Sequence, residues 1–127
     1  MTDRRIAAQL LHELHAARMA GSLERLCATF APDASLRIAG TSDGKPVAIA
    51  AKGTAEIRTW LAMLVKAFRL SDYELHTLVI EGAHLAAHWR VDIHSKITGV
   101  RVPTELVDLI EVSNTRIASL AEFFLPC

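Results

Sequence analysis

After the segment "AEIRTWLAMLVKAFRL" (residues 55 to 70), the apolar residues of this chain stop recurring at helical spacing and begin to alternate. A pattern with a period of 3.6 buries one stripe of a helix, and a pattern with a period of 2 buries one face of a strand. A chain that changes from one to the other must pack helices against a sheet. The residues before the change read as helix (3 to about 18), a short second helix from Leu23, strands at "ASLRIAG" and "VAIAA", and a third helix capped by Thr54 with Glu56 in its first turn. Ile6, Leu10, Leu14 and Ala17 form the apolar stripe of the first helix, with Arg4, Arg5, Gln9, Glu13 and Arg18 mostly around the other side. Ile57, Leu61, Leu64 and Phe68 form that of the third. Four strands follow: "YELHTLVI", "LAAHWRVDIHSKI", "TELVDLIEV" and "RIASLAEFFL". The order α-α-β-β-α-β-β-β-β defines an α+β class with a mostly antiparallel sheet.

The chain's 127 residues suit a single domain spanning 1–127. Lys plus Arg equals Asp plus Glu, 14 against 14, with no run of like charge. That excludes nucleic acid and an anionic membrane surface as main partners. The N-terminal segment is amphipathic rather than a continuous apolar stretch, so no signal peptide is expected and a cytoplasmic location follows by default. Cys27 and Cys127 are too few for a disulfide framework or a zinc site. No metal or other cofactor is expected. The "HELH" at 12 to 15 is one residue short of a zinc motif and reads as a solvated helix face.

The stretch "HWRVDIH" (88 to 94) alternates in character. As a strand it places Trp89, Val91 and Ile93 on one face and His88, Arg90, Asp92 and His94 on the other. Asp108 shares a strand face with Leu106, Ile110 and Val112, where a lone acid is costly unless neutral or paired.

The element order, with "AGSLERLCATFAPDASLRI", "KGTAEIRTWLAML", "AAHWRVDIH" and "NTRIASLAEFF", resembles the nuclear transport factor 2-like superfamily. Its members include ketosteroid isomerases, limonene epoxide hydrolases and SnoaL-type polyketide cyclases. The resemblance implies a cone: a strongly curved sheet wrapping three helices around a pocket for a small apolar molecule bearing a carbonyl or hydroxyl group. It also implies that the even-numbered residues of 88 to 94 face the pocket.

Arg90 and Asp92 resemble the arginine and aspartate of limonene epoxide hydrolase, with Glu122 at its second aspartate. Carried over, Asp92 is the acid and Glu122 the base, divided by Arg90. Asp108 resembles the neutral aspartic acid in the oxyanion hole of ketosteroid isomerase. Leu36 and Ile38 fall where the hydrolase holds water with a tyrosine and an asparagine, and Leu14 falls at the isomerase's tyrosine. These three, with Trp60, Leu106, Ile110, His88 and His94, are the expected ligand contacts. If Trp89, Val91, Ile93, Val107 and Leu109 form the convex face, they need covering, and a homodimer through the sheet is expected. Two readings of function stand: a cofactor-free acid–base enzyme, and a non-catalytic domain that binds a polar ligand through Arg90. The four charged residues could also form a purely structural ion network.

Overall fold

A computed structural model describes residues 3–42 and 45–125. Cys127 and the centre of the "TSDGKP" turn, Asp43 and Gly44, lie outside them. Helices α1 (Arg4–Ala20) and α2 (Leu23–Ala28) precede strands β1 (Phe30–Ser42) and β2 (Lys45–Lys52). Helix α3 (Gly53–Ala67) is followed by β3 (Phe68–Glu81), β4 (His84–Ser95), β5 (Arg101–Ser113) and β6 (Arg116–Leu125). The expected order holds throughout. The six strands form one curved, open sheet in the order β2-β1-β6-β5-β4-β3. Every neighbouring pair is antiparallel except β1 with β6. No described helix is long and apolar enough to cross a membrane.

Local chemistry explains most helix ends. Asp3 caps α1 by accepting from the Arg5 N–H at 2.8 Å, and Gly21 closes it in the left-handed region at φ 65°. Ser22 caps α2, as expected. Helix α3 starts two residues earlier than expected. Lys52 is its cap residue, and its N–H donates to Glu56 at 3.0 Å, while the Thr54 hydroxyl donates instead to the Pro32 carbonyl at 3.3 Å. Helix α3 also ends early, at Ala67. Phe68, Arg69 and Leu70 pair in register with Ser95, His94 and Ile93, so strand pairing overrides the helical spacing there.

Two face assignments are corrected. In β4 the odd-numbered residues face the helices: Leu85, Ala87, Trp89, Val91 and Ile93 are buried. His88, Arg90 and His94 lie on the other face and are only half-buried. One strand face must be desolvated, and burying an indole and two branched side chains gains apolar area, whereas burying two histidines, an arginine and an aspartate would cost solvation. Asp92 is 4% exposed yet turned from the helices, covered by Arg101. The premise of the dimer expectation falls with this correction. Trp89, Val91 and Ile93 are already inside, leaving half-buried Val107 and 47%-exposed Leu109 outside.

In α1 the buried residues are Ala7, Leu11, Leu14, His15 and Ala17, and Ile6 is exposed. The helix is rotated by about one residue from the expected stripe. The rotation brings His15 and Arg18 onto the sheet-facing side, where they meet acids on β5 and β6.

Gly40 lets β1 lie close against β6. A Cβ there would sit 2.6 Å from the Phe124 carbonyl oxygen, at a φ of 137° that side chains rarely adopt. The close approach sets Phe124 in the wall of the cavity described next.

Candidate functional site

A cavity of about 250 Å³ opens between the sheet and the helices. Its walls are apolar: Leu26 from α2, Ile38 and Ile49 from β1 and β2, Leu61 and Met63 from α3, and Phe124 from β6 are among them. Two charged side chains also line it, Arg18 and Glu122. Arg18 Nη1 donates to both carboxylate oxygens of Glu122, at 3.0 and 2.8 Å. The Glu122 side chain is 0% exposed and that of Arg18 is 11% exposed. Arg18 Nε and Nη2 make no hydrogen bond among the described residues, so N–H donors remain for a ligand oxygen.

Behind Glu122 lies a polar chain. Asp108 is its neighbour in the β5–β6 register, so the two buried carboxyls lie side by side. Asp108 Oδ2 is 2.8 Å from His15 Nε2, and His15 Nδ1 is 2.7 Å from the Tyr73 hydroxyl. The His15 ring packs on Trp89, with centroids 4.3 Å apart, and Arg18 lies over the same indole at 5.6 Å.

Burial governs protonation here. It pushes Glu122 up to about 8, with Arg18 opposing and the Asp108 carboxylate adding to the rise. It pushes Asp108 up to about 6, against the pull of the neighbouring Glu122 carboxyl, Arg18 and the Trp89 N–H. It lowers His15 to about 3, helped by Arg18, so this imidazole is neutral. Burial also lowers Arg18's affinity for its proton, but the two acids more than offset this and hold it above its ordinary value. Between pH 6 and 8 the carboxyl pair therefore holds one proton and one negative charge, matched by Arg18.

Of the expected site residues, the structure brings Asp108, Glu122 and Ile38 together. Arg90 faces outward between Glu74 and Glu105 in the strand register. His88 is also outward, 3.5 Å from Glu105 and stacked on His76. Asp92 binds Arg101, which holds its carboxyl below the usual range, and Arg101 also bonds Asp72 at 3.0 Å. His94 bonds the Ser71 hydroxyl at 2.8 Å. Leu14, Leu36 and Ile110 are in the main core, Leu106 packs with Trp89, and Trp60 is half-buried against the core. None of these five lines the cavity.

The cation in the cavity wall is Arg18, and Arg90 lies on the outer face. Sequence reading missed Arg18, His15 and Tyr73. The available signal was spacing: Leu11, Leu14, His15 and Arg18 recur at i, i+3, i+4, i+7, so a stripe drawn through Leu11 includes both polar residues. In "HELH" His12 is exposed and Glu13 half-exposed, whereas Leu14 and His15 are buried.

A stability prediction follows. Folded Glu122 keeps its proton to about 8, against 4.5 for the free group. Between those values the folded protein holds a proton that the unfolded chain has released, so stability falls as pH rises. His15 acts oppositely between about 3 and 6.5, because there the unfolded chain binds the extra proton. The fall is therefore cleanest between pH 6.5 and 8, where it should reach about 2 kcal/mol. Urea denaturation across that range measures it. The fall should vanish in Glu122→Gln, and a flat wild-type profile would contradict the assignment.

Three helices against a six-stranded curved sheet make this an α+β nuclear transport factor 2-like fold. Residues 11–120 match the SnoaL-like domain model, and the chain belongs to that family. Among solved structures, a nuclear transport factor 2-like protein from Burkholderia xenovorans LB400 is 21% identical with a TM-score of 0.80, over 98% of this chain and 93% of its own. An epoxide hydrolase from M. tuberculosis, similar to limonene epoxide hydrolase, is 15% identical with a TM-score of 0.75, over 95% and 84%. A protein with a ketosteroid isomerase-like fold from Catenulispora acidiphila DSM 44928, in complex with trimethylamine, is 15% identical with a TM-score of 0.73, over 89% and 82%. These likenesses establish the fold. No curated protein matches the sequence.

Proposed function

We propose that this domain binds a small, largely apolar molecule carrying one epoxide or carbonyl oxygen and catalyses its isomerisation or cyclisation by proton transfer from Glu122. The observation that carries this reading is the Arg18–Glu122 pair, the only charged side chains lining an otherwise apolar cavity among the described residues. Apolar walls take up the body of the ligand, and Arg18's unused N–H groups receive its oxygen. Glu122, protonated up to about pH 8, gives its proton to that oxygen. Arg18 stabilises the carboxylate left behind. A proton released from the substrate's own C–H or hydroxyl then returns to Glu122, so the enzyme ends as it began.

Hydrolysis is less well supported. A water nucleophile needs polar partners, and the residue facing Glu122 across the β1–β6 register is Ile38. The M. tuberculosis relative's epoxide chemistry supports the substrate's oxygen function rather than the water step.

The test is a panel of small apolar epoxides and β,γ-unsaturated ketones, assayed for turnover and for binding. Glu122→Gln keeps the shape and removes the acid, so turnover should drop by on the order of 100-fold or more with affinity nearly unchanged. Wild-type turnover should fall above pH 8 as the acid is lost. If panel members bind but none is converted, the domain is a non-catalytic ligand binder. If Glu122→Gln retains full turnover, the acid has been misassigned.

A further inference from the structure

We infer that His15 and Tyr73 decide which of the two paired carboxyls carries the shared proton, holding Asp108 as the carboxylate so that the proton resides on Glu122, at the cavity. The inference rests on Glu122 being the group that meets the ligand, but it concerns the ligand-free protein and is measured there.

The Tyr73 hydroxyl is 2.7 Å from His15 Nδ1, and Asp108 Oδ2 is 2.8 Å from Nε2. Packing against Trp89 and an edge contact with Tyr73, at 5.4 Å, fix the ring's orientation. A phenol is the better donor and a neutral imidazole nitrogen the better acceptor, so the hydroxyl donates to Nδ1. That leaves the ring proton on Nε2, directed at Asp108.

The opposite tautomer would require Asp108 to be protonated on Oδ2, its proton pointing away from Glu122. Asp108 Oδ1 would then face a second carboxylate with nothing to bond. Oδ1 is buried and has no other partner among the described residues, a state that costs free energy. A proton on Glu122 resolves this by donating to Oδ1. The Trp89 indole N–H, also without a hydrogen bond, adjoins the same carboxyl and favours its ionised form.

Against this stands Arg18, whose charge favours ionised Glu122. Its attraction also reaches Asp108, so it does not discriminate fully between the two acids. The other charged or titratable neighbours of the chain are His12 and Arg18 on α1, Tyr73 on β3 and Glu122 on β6. None supplies a second donor to Asp108 Oδ2. His15 is thus a positioning residue: it touches no ligand and acts through Asp108.

The experiment is a carbon-13 carboxyl NMR titration of the ligand-free protein. In the wild type, the higher of the two pKa steps should appear at Glu122 and the lower at Asp108. His15→Phe keeps an aromatic ring and removes the donor. Asp108 should then rise by roughly 1–2 pH units, the worth of one charged hydrogen bond, closing most of the gap to Glu122. His15→Gln, which can still donate, should return the Asp108 step toward its wild-type position, and Tyr73→Phe should move Asp108 the same way as His15→Phe but less. Nitrogen-15 shifts of His15 should report the Nε2–H tautomer. These remain readable in the wild type and in Tyr73→Phe should His15→Phe not fold. An Nδ1–H tautomer, a higher step at Asp108 in the wild type, or an Asp108 step that does not rise in a folded His15→Phe would each overturn the inference. Because no substrate is involved, an empty substrate panel would leave it standing.

Discussion

Replacing Arg18 by methionine should destabilise the fold by about 3–5 kcal/mol at pH 8 and by much less at pH 5. Methionine keeps most of the stem volume against Trp89, so the loss is mainly one of charge. At pH 8 the site holds the Asp108 carboxylate and a partly ionised Glu122, both fully buried, and Arg18 is the cation that balances them. Without it, the folded state must keep an uncompensated negative charge or take up protons from a solution where they are scarce. At pH 5 both acids are largely protonated, and little charge is left unpaired. Urea denaturation of both proteins at the two pH values gives the comparison. An equal cost at both would mean that Arg18 contributes packing rather than charge. Arg90→Met is the control: its side chain is half-buried on the outer face, and the change should fall within about 0.5 kcal/mol at either pH.

That contrast between two arginines marks where sequence reading succeeded and where it stopped. The helices, the strands and their order were legible because each element carries its own periodicity. Asp108 was legible as an acid in need of a partner because an acid among Leu106, Ile110 and Val112 conflicts with its surroundings, and that conflict can be seen within one strand. The faces of β4 were not. "HWRVDIH" alternates equally well in either orientation, and only competition between burying Trp89 and burying Arg90 decides it. The polar-inward assignment came from the family resemblance and overrode that competition. Helix α1 failed for a related reason. An arginine and a histidine on an amphipathic helix read as solvent-facing by composition, and the acids that make their burial favourable lie about a hundred residues away, on strands whose register closes only in the fold.

The same register explains why the site is where it is. Asp108 and Glu122 are cross-strand partners on β5 and β6, and Glu122 is also level with Ile38 on β1. One parallel pairing, β1 with β6, thus sets a buried acid beside the apolar residues of the first half of the chain. Helix α1 then lies across the sheet and supplies the cation. No single segment contains the site, so no local motif announces it.

Trp89→Ala should cost about 3–5 kcal/mol, the range for removing a fully buried aromatic side chain. Its effect should also reach the polar chain, because the indole is the surface on which that chain is assembled. The His15 ring rests on it with centroids 4.3 Å apart, Tyr73 packs against it at 5.7 Å, and the Arg18 guanidinium lies over it at 5.6 Å. With alanine there, the imidazole can turn, and its bond to Asp108 no longer has a fixed direction. Trp89→Phe keeps one aromatic ring for His15 to pack on and loses less buried volume than alanine, together with an N–H that makes no hydrogen bond among the described residues, so it should cost clearly less and leave His15 ordered. Denaturation midpoints supply the stability difference, and the His15 nitrogen-15 spectrum supplies the ordering. An alanine variant that loses stability but keeps a sharp, single-tautomer His15 signal would show that the indole fills space without orienting the site.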